Sequence, residues 1–256
     1  LSGWGNQYGG YAALREDGSV ITWNDGFGDN ITGNDVRYDI NGNIDVTDIV
    51  GNFAAFAALR EDGSVVTWGD PRWGGDSSSV ATDIDGTIDV VNLFKNNSSF
   101  AALREDGSVV SWGNSDWGAG DSSAVASELD GSIKVVDIFS THDNAFAALR
   151  EDGSVITWGN AESADSLGVA SELDGTIDVI DIFSTSNSFL AVREDGSFVS
   201  WGYEDHLLNM PDINLEINLS SEFAIDPDTG VITLAEGAIL DFETTPSHEI
   251  KVKATS

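Results

Sequence analysis

Two short clusters in this 256-residue chain are best suited to grip another molecule, Asp70-Pro71-Arg72-Trp73 and Asn114-Ser115-Asp116-Trp117. Each sets a tryptophan within a few residues of a carboxylate: Trp73 follows Asp70, and Trp117 follows Asp116. An indole flanked by Asp and Asn suits stacking on a sugar ring or anchoring a protein partner, because Trp offers a large apolar face with a single donor. The same indoles would act as packing if they folded back over the edge of their own sheet. Catalytic chemistry has no comparable support. The histidines, His142, His206 and His248, are scattered, with no serine or metal-ligand spacing around them. Among 44 acidic residues chance carboxylate pairs abound, and none has a reason for the raised pKa that general acid work needs. No glycine-rich phosphate loop precedes a helix, and there is no Cys for thiol or cysteine–zinc chemistry. The reading is of a binding chain, not an enzyme.

What positions the clusters is a segment that recurs almost unchanged, Phe56-Ala57-Ala58-Leu59-Arg60-Glu61-Asp62-Gly63-Ser64-Val65-Val66-Thr67-Trp68-Gly69. Further copies run from Tyr11 to Trp23, Phe100 to Trp112, Phe146 to Trp158 and Phe189 to Trp201, with the closing tryptophans 45, 44, 46 and 43 residues apart. A fixed period in this range signals a solenoid, a propeller or an array. Asp62-Gly63 between two apolar runs predicts a hairpin, since Gly takes positive φ without steric cost. Phe56 and Ala58 fall on one face of the first strand, Ala57 and Leu59 on the other. Val66 and Trp68 oppose Val65 and Thr67 in the second. Strands apolar on both faces are covered on both sides. A second turn signal recurs at Asn41-Gly42, Asp85-Gly86, Asp130-Gly131 and Asp174-Gly175, each followed by a β-rich run such as Ile88-Asp89-Val90-Val91. Every repeat therefore reads as three to four short strands with no helix-length segment. Such a sheet buries both faces only by stacking on its like around an axis, so the predicted class is an all-β propeller.

Arg15, Arg60, Arg104, Arg150 and Arg193 always precede Glu-Asp-Gly. They predict either a ring of anion sites or, with better physical support, a stacking device in which each Arg pairs with a carboxylate of its own turn or of the next blade. Residues 1–10 match the upstream strand poorly. The linker from Asn24 to Asn43 carries Asp25, Asp29, Asp35 and Asp39 without the spacing of an EF-hand, and reads as a solvated loop.

The pattern Ala-Leu-x-x-Asp-Gly-x-Val-x-x-Trp-Gly, with another strand upstream, resembles the repeat of the regulator of chromosome condensation propellers. It is closer still to compact bacterial relatives such as the propeller-type β-lactamase inhibitor. The resemblance covers residues 1–205. It departs from the family in having Tyr11, Phe56, Phe100, Phe146 and Phe189 where a His is common, and in segments such as Gly74-Gly75-Asp76-Ser77 in place of Gly-Gln-Leu-Gly. After Trp201-Gly202 the period breaks. Residues 206–256 contain Phe223-Ala224-Ile225-Asp226, Asp228-Thr229-Gly230, Leu240-Asp241-Phe242-Glu243 and a final alternating strand. This order resembles the second half of a bacterial cadherin-like domain, a partial β-sandwich. The resemblance implies calcium at Asp241 and Glu243, since two carboxylates at i and i+2 can converge on a hard cation.

The net charge of −33 disfavours partners with phosphate backbones or anionic headgroups, so neither nucleic acid nor membrane insertion is expected. It suits a saline, calcium-bearing extracellular setting. The chain begins at Leu1, already inside a repeat, which reads as a piece of something longer. Together these features lead to the expectation of a non-catalytic ligand-binding or spacer module of a large secreted bacterial adhesin at the cell surface. Its propeller loops would meet a glycan or protein, with tandem domains of the same long polypeptide alongside. The alternative is a soluble protein-inhibitor or scaffold propeller that binds one specific partner protein.

Overall fold

The Asp-Gly turns form hairpins, and each hairpin gains a third strand from the run upstream of it. The computed structural model describes residues 10–23, 40–116 and 120–203, together with strands at 2–5, 214–218, 223–225, 232–234 and 251–255. The first sheet holds β1 (Ser2–Gly5), β2 (Tyr11–Leu14) and β3 (Val20–Trp23); the second β4 (Val46–Gly51), β5 (Ala55–Arg60) and β6 (Val65–Gly69). The third holds β7 (Val90–Lys95), β8 (Ser99–Arg104) and β9 (Val109–Gly113). β10 (Val135–Ser140), β11 (Ala145–Arg150) and β12 (Val155–Gly159) make the fourth, and β13 (Val179–Ser184), β14 (Ser188–Arg193) and β15 (Phe198–Gly202) the fifth. All pairings are antiparallel, in sequence order. Beyond the last repeat, β16 (Asn214–Asn218) pairs with β19 (Lys251–Thr255), and β17 (Phe223–Ile225) with β18 (Ile232–Leu234). Among the described residues helix is confined to short 3-10 turns in the linkers.

Two expectations are refined here. The poorly matching start does supply a strand: Ser2–Gly5 pairs with β2, Trp4 opposite Ala12. Each later first strand carries a bulge that sequence alternation did not reveal, with the register shifting between Val46 and Asp48, Val90 and Asn92, Val135 and Asp137, and Val179 and Asp181. The extra residue turns outward, leaving Val91, Val136 and Ile180 more than half exposed. The following carboxylate or amide then takes up the next amide hydrogen: Asp48 accepts from Ile49 N at 2.8 Å and Asp137 from Ile138 N at 2.8 Å. A side chain thus replaces the ladder bond that the bulge disrupts.

Among the described residues the core is a series of four layers, each lying between consecutive sheets. Phe146, Ala148 and Trp158 of the fourth sheet pack on Ala101, Leu103 and Val109 of the third, with Val135, Ile138 and Leu129 completing the layer. The other three repeat that plan. Phe and Trp of one sheet face each other across the strands, so their rings stack: centroids are 5.3 Å apart in Phe56–Trp68, 5.5 Å in Phe100–Trp112 and 5.2 Å in Phe146–Trp158. Offset stacking of this kind adds about 0.5–1.5 kcal/mol per pair beyond simple burial.

Candidate binding surface at the loop end

The antiparallel topology gives each sheet a turn end, at the Asp-Gly hairpins, and a loop end, where the first strand turns into the second and the third strand exits. The turn end is built on one plan, with the same Arg–Ser–Asp chain in four of the described turns and a longer contact, from Arg15 Nη1 to Ser19 Oγ at 3.5 Å, in the first. Arg104 Nε donates to Ser108 Oγ at 2.7 Å, Ser108 Oγ donates to Asp106 Oδ1, and the Ser108 amide donates to the same oxygen at 2.9 Å. Arg60, Arg150 and Arg193 reach Ser64, Ser154 and Ser197 in the same way. The expected Arg–carboxylate pairing is found within the turn for Arg60–Asp62 and Arg150–Asp152, both at 3.7 Å. Arg104 and Arg193 pair instead with Asp83 and Glu172 of the preceding linker, at 3.8 and 3.7 Å, rather than with the next blade. The reason is that the outgoing linker folds back along the third strand, with Ile84 O accepting from Val65 N. The turn glycine is also a junction: Gly63 O accepts from Val90 N of the next sheet at 2.8 Å.

Burial works against ionisation of Asp106, but the Ser108 hydroxyl, the Ser108 amide and Arg104 hold its carboxyl below the ordinary 3.8. Asp62 and Asp152 are lowered against burial in the same manner. Replacing Ser108 by Ala should therefore cost about 2 kcal/mol, since it removes one hydroxyl that bonds both a charged acceptor and a charged donor. A depressed carboxylate stabilises the fold fully above its unfolded pKa and loses that contribution as pH falls through the folded value. The stability gap between wild type and Ser108→Ala should thus be full at neutral pH and narrow below about pH 4. Denaturant titrations of both proteins across that range check it, and a gap unchanged at low pH would refute the ionic account. Using the difference cancels the general relief of repulsion as the acidic surface protonates.

The loop end differs from repeat to repeat, and its best-defined feature lies on the second and third sheets. Asp70 begins a 3-10 turn, Pro71–Trp73, that Gly74 ends in the left-handed region at φ 90°. Its carboxylate is only 4 % exposed; Oδ1 accepts from Arg72 N at 2.9 Å and Nε at 3.1 Å, and Oδ2 from Arg72 Nη2 at 2.6 Å. The Arg72 side chain, chiefly through these hydrogen bonds, holds the Asp70 carboxyl well below its ordinary value. Asp70 is thus consumed as a cap, and the charge offered to solvent is its partner, Arg72, 72 % exposed. Of the two arrangements its sequence allows, Trp73 takes one close to packing. It is half-buried against the layer between the second and third sheets, 4.5 Å from Phe53 between ring centroids. Asn52 Nδ2 grips the Trp73 carbonyl at 2.6 Å, and Trp112 Nε1 of the next sheet donates to Gly74 O at 3.1 Å.

The result is a pinned shelf: Trp73 and Arg72 on the exit loop of the second blade and Phe53 on the loop between β4 and β5, both loops latched to the third blade, at Asn97 O and Trp112 Nε1. Phe53 and Arg72 were not singled out from sequence. The available signal was that Phe53 breaks a polar series, Asn97, Asp143 and Ser186 holding the matching places before the recurring aromatic. Asp116 is exposed in the corresponding loop of the third blade. Trp117, Asp241 and Glu243 lie outside the described residues. Among the described residues no group of three or more His, Asp or Glu is placed to hold a metal ion.

The sequence matches no family model and no curated protein. Solved structures do match. Yeast RCC1 (Prp20), crystallised with Kap60 bound to it, is 18 % identical with a TM-score of 0.52 over 91 % of this chain and 62 % of its own. Prp20p of Saccharomyces cerevisiae, in a study of its binding to Gsp1p and histones, is 18 % identical with a TM-score of 0.50 over 90 % and 62 %. The fold is an RCC1-like β-propeller. The chain spans 62 % of the length of these propellers. Within the described part of the propeller the five sheets succeed one another through four layers. In the first blade, Tyr11 and Trp23 are 44 % and 48 % exposed, although their rings stack at 5.5 Å as in the buried pairs.

Proposed function

We propose that this propeller is a non-catalytic binding module whose loop end receives a protein or glycan, and that it belongs to a large secreted bacterial surface protein. The observation that carries the reading is the shelf of Phe53 and Trp73 with Arg72 held in one orientation by a buried carboxylate. Its parts are fixed before any ligand arrives, so binding loses little side-chain entropy. Aromatic and Arg side chains are also the types that dominate binding energy at protein surfaces. The turn ends follow one plan from blade to blade and are tied to the scaffold, whereas variable loops on a rigid frame are where recognition residues gather. The name of Prp20's reported partners, Gsp1p and histones, agrees with protein binding by a propeller of this shape. The surface-protein setting rests on the acidity of the chain and on the cadherin-like pattern of residues 206–256, whose Asp241 and Glu243 would take calcium and join the propeller to a stalk.

A glycan array and a cell-binding assay, each with calcium at about millimolar levels, test the reading. The variant Arg72→Ala/Trp73→Ser should lower any captured affinity at least tenfold, which is about 1.4 kcal/mol, and Asp116→Ala should matter less. Binding that survives the double substitution undiminished would remove the shelf from the site. A single stoichiometric partner in pull-downs, indifferent to calcium, would favour the inhibitor or scaffold alternative.

A further inference from the structure

Asn41 is the one asparagine in the sequence that glycine follows, and it opens the linker turn of its blade, where the matching residues are Asp85, Asp130 and Asp174. The four turns share one form. Asn41 Oδ1 accepts from Asn43 N at 2.9 Å, as Asp85, Asp130 and Asp174 accept from Thr87, Ser132 and Thr176 N at 2.8 Å. This is the Asx turn, in which a side-chain carbonyl closes a ring around the next residue. It holds Asn41 Cγ beside the Gly42 amide. Among the described residues that amide donates to nothing, and the same is true of Gly86, Gly131 and Gly175. The hairpin turns carry an Asx bond as well, but their glycines are tied. There Gly18, Gly63, Gly107, Gly153 and Gly196 donate to the carbonyl of the recurring Arg. Gly42 is also fixed as glycine: its φ is +84°, and an added Cβ would lie 2.8 Å from Asp17 O. The nitrogen that follows Asn41 is therefore both unhindered and untied.

We propose that Asn41 is a site of self-modification, where the turn converts the side-chain amide to a carboxylate with water as the only co-reactant. Gly42 N gives its proton to solvent and bonds to Asn41 Cγ. The Cγ–Nδ2 bond breaks, and Nδ2 leaves as ammonia after taking up a proton. Water then adds to the cyclic imide. Opening between Gly42 N and Cγ gives Asp, and opening between Gly42 N and the Asn41 main-chain carbonyl carbon gives isoaspartate. The fold is already built for the Asp product, because the other three linker turns carry Asp with the same hydrogen bond. In those turns the side chain and amide of Thr87, Ser132 and Thr176 hold the carboxyl below its ordinary value, so the new charge is favoured. Isoaspartate fits less well. It lengthens the main chain between Ile40, whose carbonyl accepts from Val20 N, and Val46, whose amide donates to Gly18 O.

Ageing the full chain in mildly alkaline buffer, then mapping tryptic peptides by mass spectrometry with fragmentation, tests this. Residue 41 should become acidic roughly tenfold or more faster than Asn52, with isoaspartate present as the mark of the imide. Asn41→Asp should keep the wild-type thermal midpoint, and Asn41→Gln should end conversion at that position. Two transplants separate the turn from the dipeptide. Asp85→Asn puts Asn before glycine in a linker turn and should convert as residue 41 does. Asp62→Asn puts it in a hairpin turn, where Gly63 N donates to Arg60 O at 3.0 Å, and should convert roughly tenfold or more slowly. Thermal midpoints well above the ageing temperature confirm that both fold, and Asp130→Asn and Asp152→Asn serve as second variants of the two turns. A chain whose Asn41 keeps its amide when folded but loses it in urea overturns the proposal. So does equal conversion of the two transplants, which would leave the turn geometry without a part.

Discussion

Replacing Trp112 by Ala is expected to destabilise the protein by about 3–5 kcal/mol, lowering the thermal midpoint by roughly 10 °C for a domain of this size. The same substitution at Trp23 should cost less than about 1 kcal/mol. The two tryptophans close identical hairpins and stack on the matching aromatic at the same 5.5 Å. They differ in what lies against the outer face of the pair. Trp112 is 1 % exposed, packed with Phe100 and Ala102 on Ala55, Ala57 and Val65 of the blade before. Its removal opens a cavity bounded by two rigid sheets that cannot collapse, and leaves the Gly74 carbonyl without its indole donor. Because each blade touches only its neighbours, the loss falls on one layer, and the array should unfold first on either side of it. Thermal unfolding of both variants makes the comparison. Equal losses at the two positions would mean that the inter-blade layers are not what stabilises the fold.

That contrast also shows how far the residues alone could be read. The period, the hairpins and the division of each strand into two apolar faces were legible, because they depend on alternation and on Asp-Gly, which are local. Phe56, Ala58 and Trp68 do share one layer, and Ala57 and Val65 the next. Whether a given face is covered is not local. Tyr11-to-Trp23 and Phe100-to-Trp112 are nearly the same sequence, yet the first pair is about half exposed and the second is buried by its packing on the blade before it. The bulge at Val46–Asp48 was hidden for a related reason: one extra residue in a six-residue strand leaves an apolar pattern that fits either register. At the loop end, Asp70 and Trp73 were found as residues that matter, but not in their roles. An Asp before Pro-Arg-Trp is compatible with ligand contact and with capping, and the decision lies with Arg72 and Asn52, whose reach depends on the folded backbone. The serine in each Arg-Glu-Asp-Gly-Ser turn was passed over because a short hydroxyl in a polar turn looks like solvent-facing filler. In the fold it bridges guanidinium and carboxylate, and Ser19, Ser64, Ser108 and Ser154 are buried in doing so.

The glycine after each structural tryptophan sets the second large effect. Replacing Gly159 by Ala should cost about 3 kcal/mol or more, while Gly196→Ala should cost only about 1–2 kcal/mol. Both glycines have positive φ, +121° and +81°, so both substitutions force a side chain into backbone space that L residues avoid. Gly196 has nothing within 4 Å of its missing Cβ, so backbone strain is its whole penalty. At Gly159 the added carbon would lie 2.3 Å from Asn144 O and 2.8 Å from Ala145 Cα, which are main-chain atoms of the neighbouring strand and cannot swing aside. β12 would have to draw away from β11 at its end, breaking the bond from Asn160 N to Asn144 O at 2.8 Å. Asn144 is itself held at φ 64°, and its side-chain oxygen accepts from Ser98 of the third blade at 2.6 Å. The disturbance would therefore cross a blade boundary and loosen the exit loop, where Asn160 caps the amides of Glu162 and Ser163. Hydrogen exchange should show lost protection at Asn160 and Ala164 in Gly159→Ala and none in Gly196→Ala. Equal stability losses with unaltered loop protection would mean that the close approach is dispensable, and that the exit loops are held in place by their own caps alone.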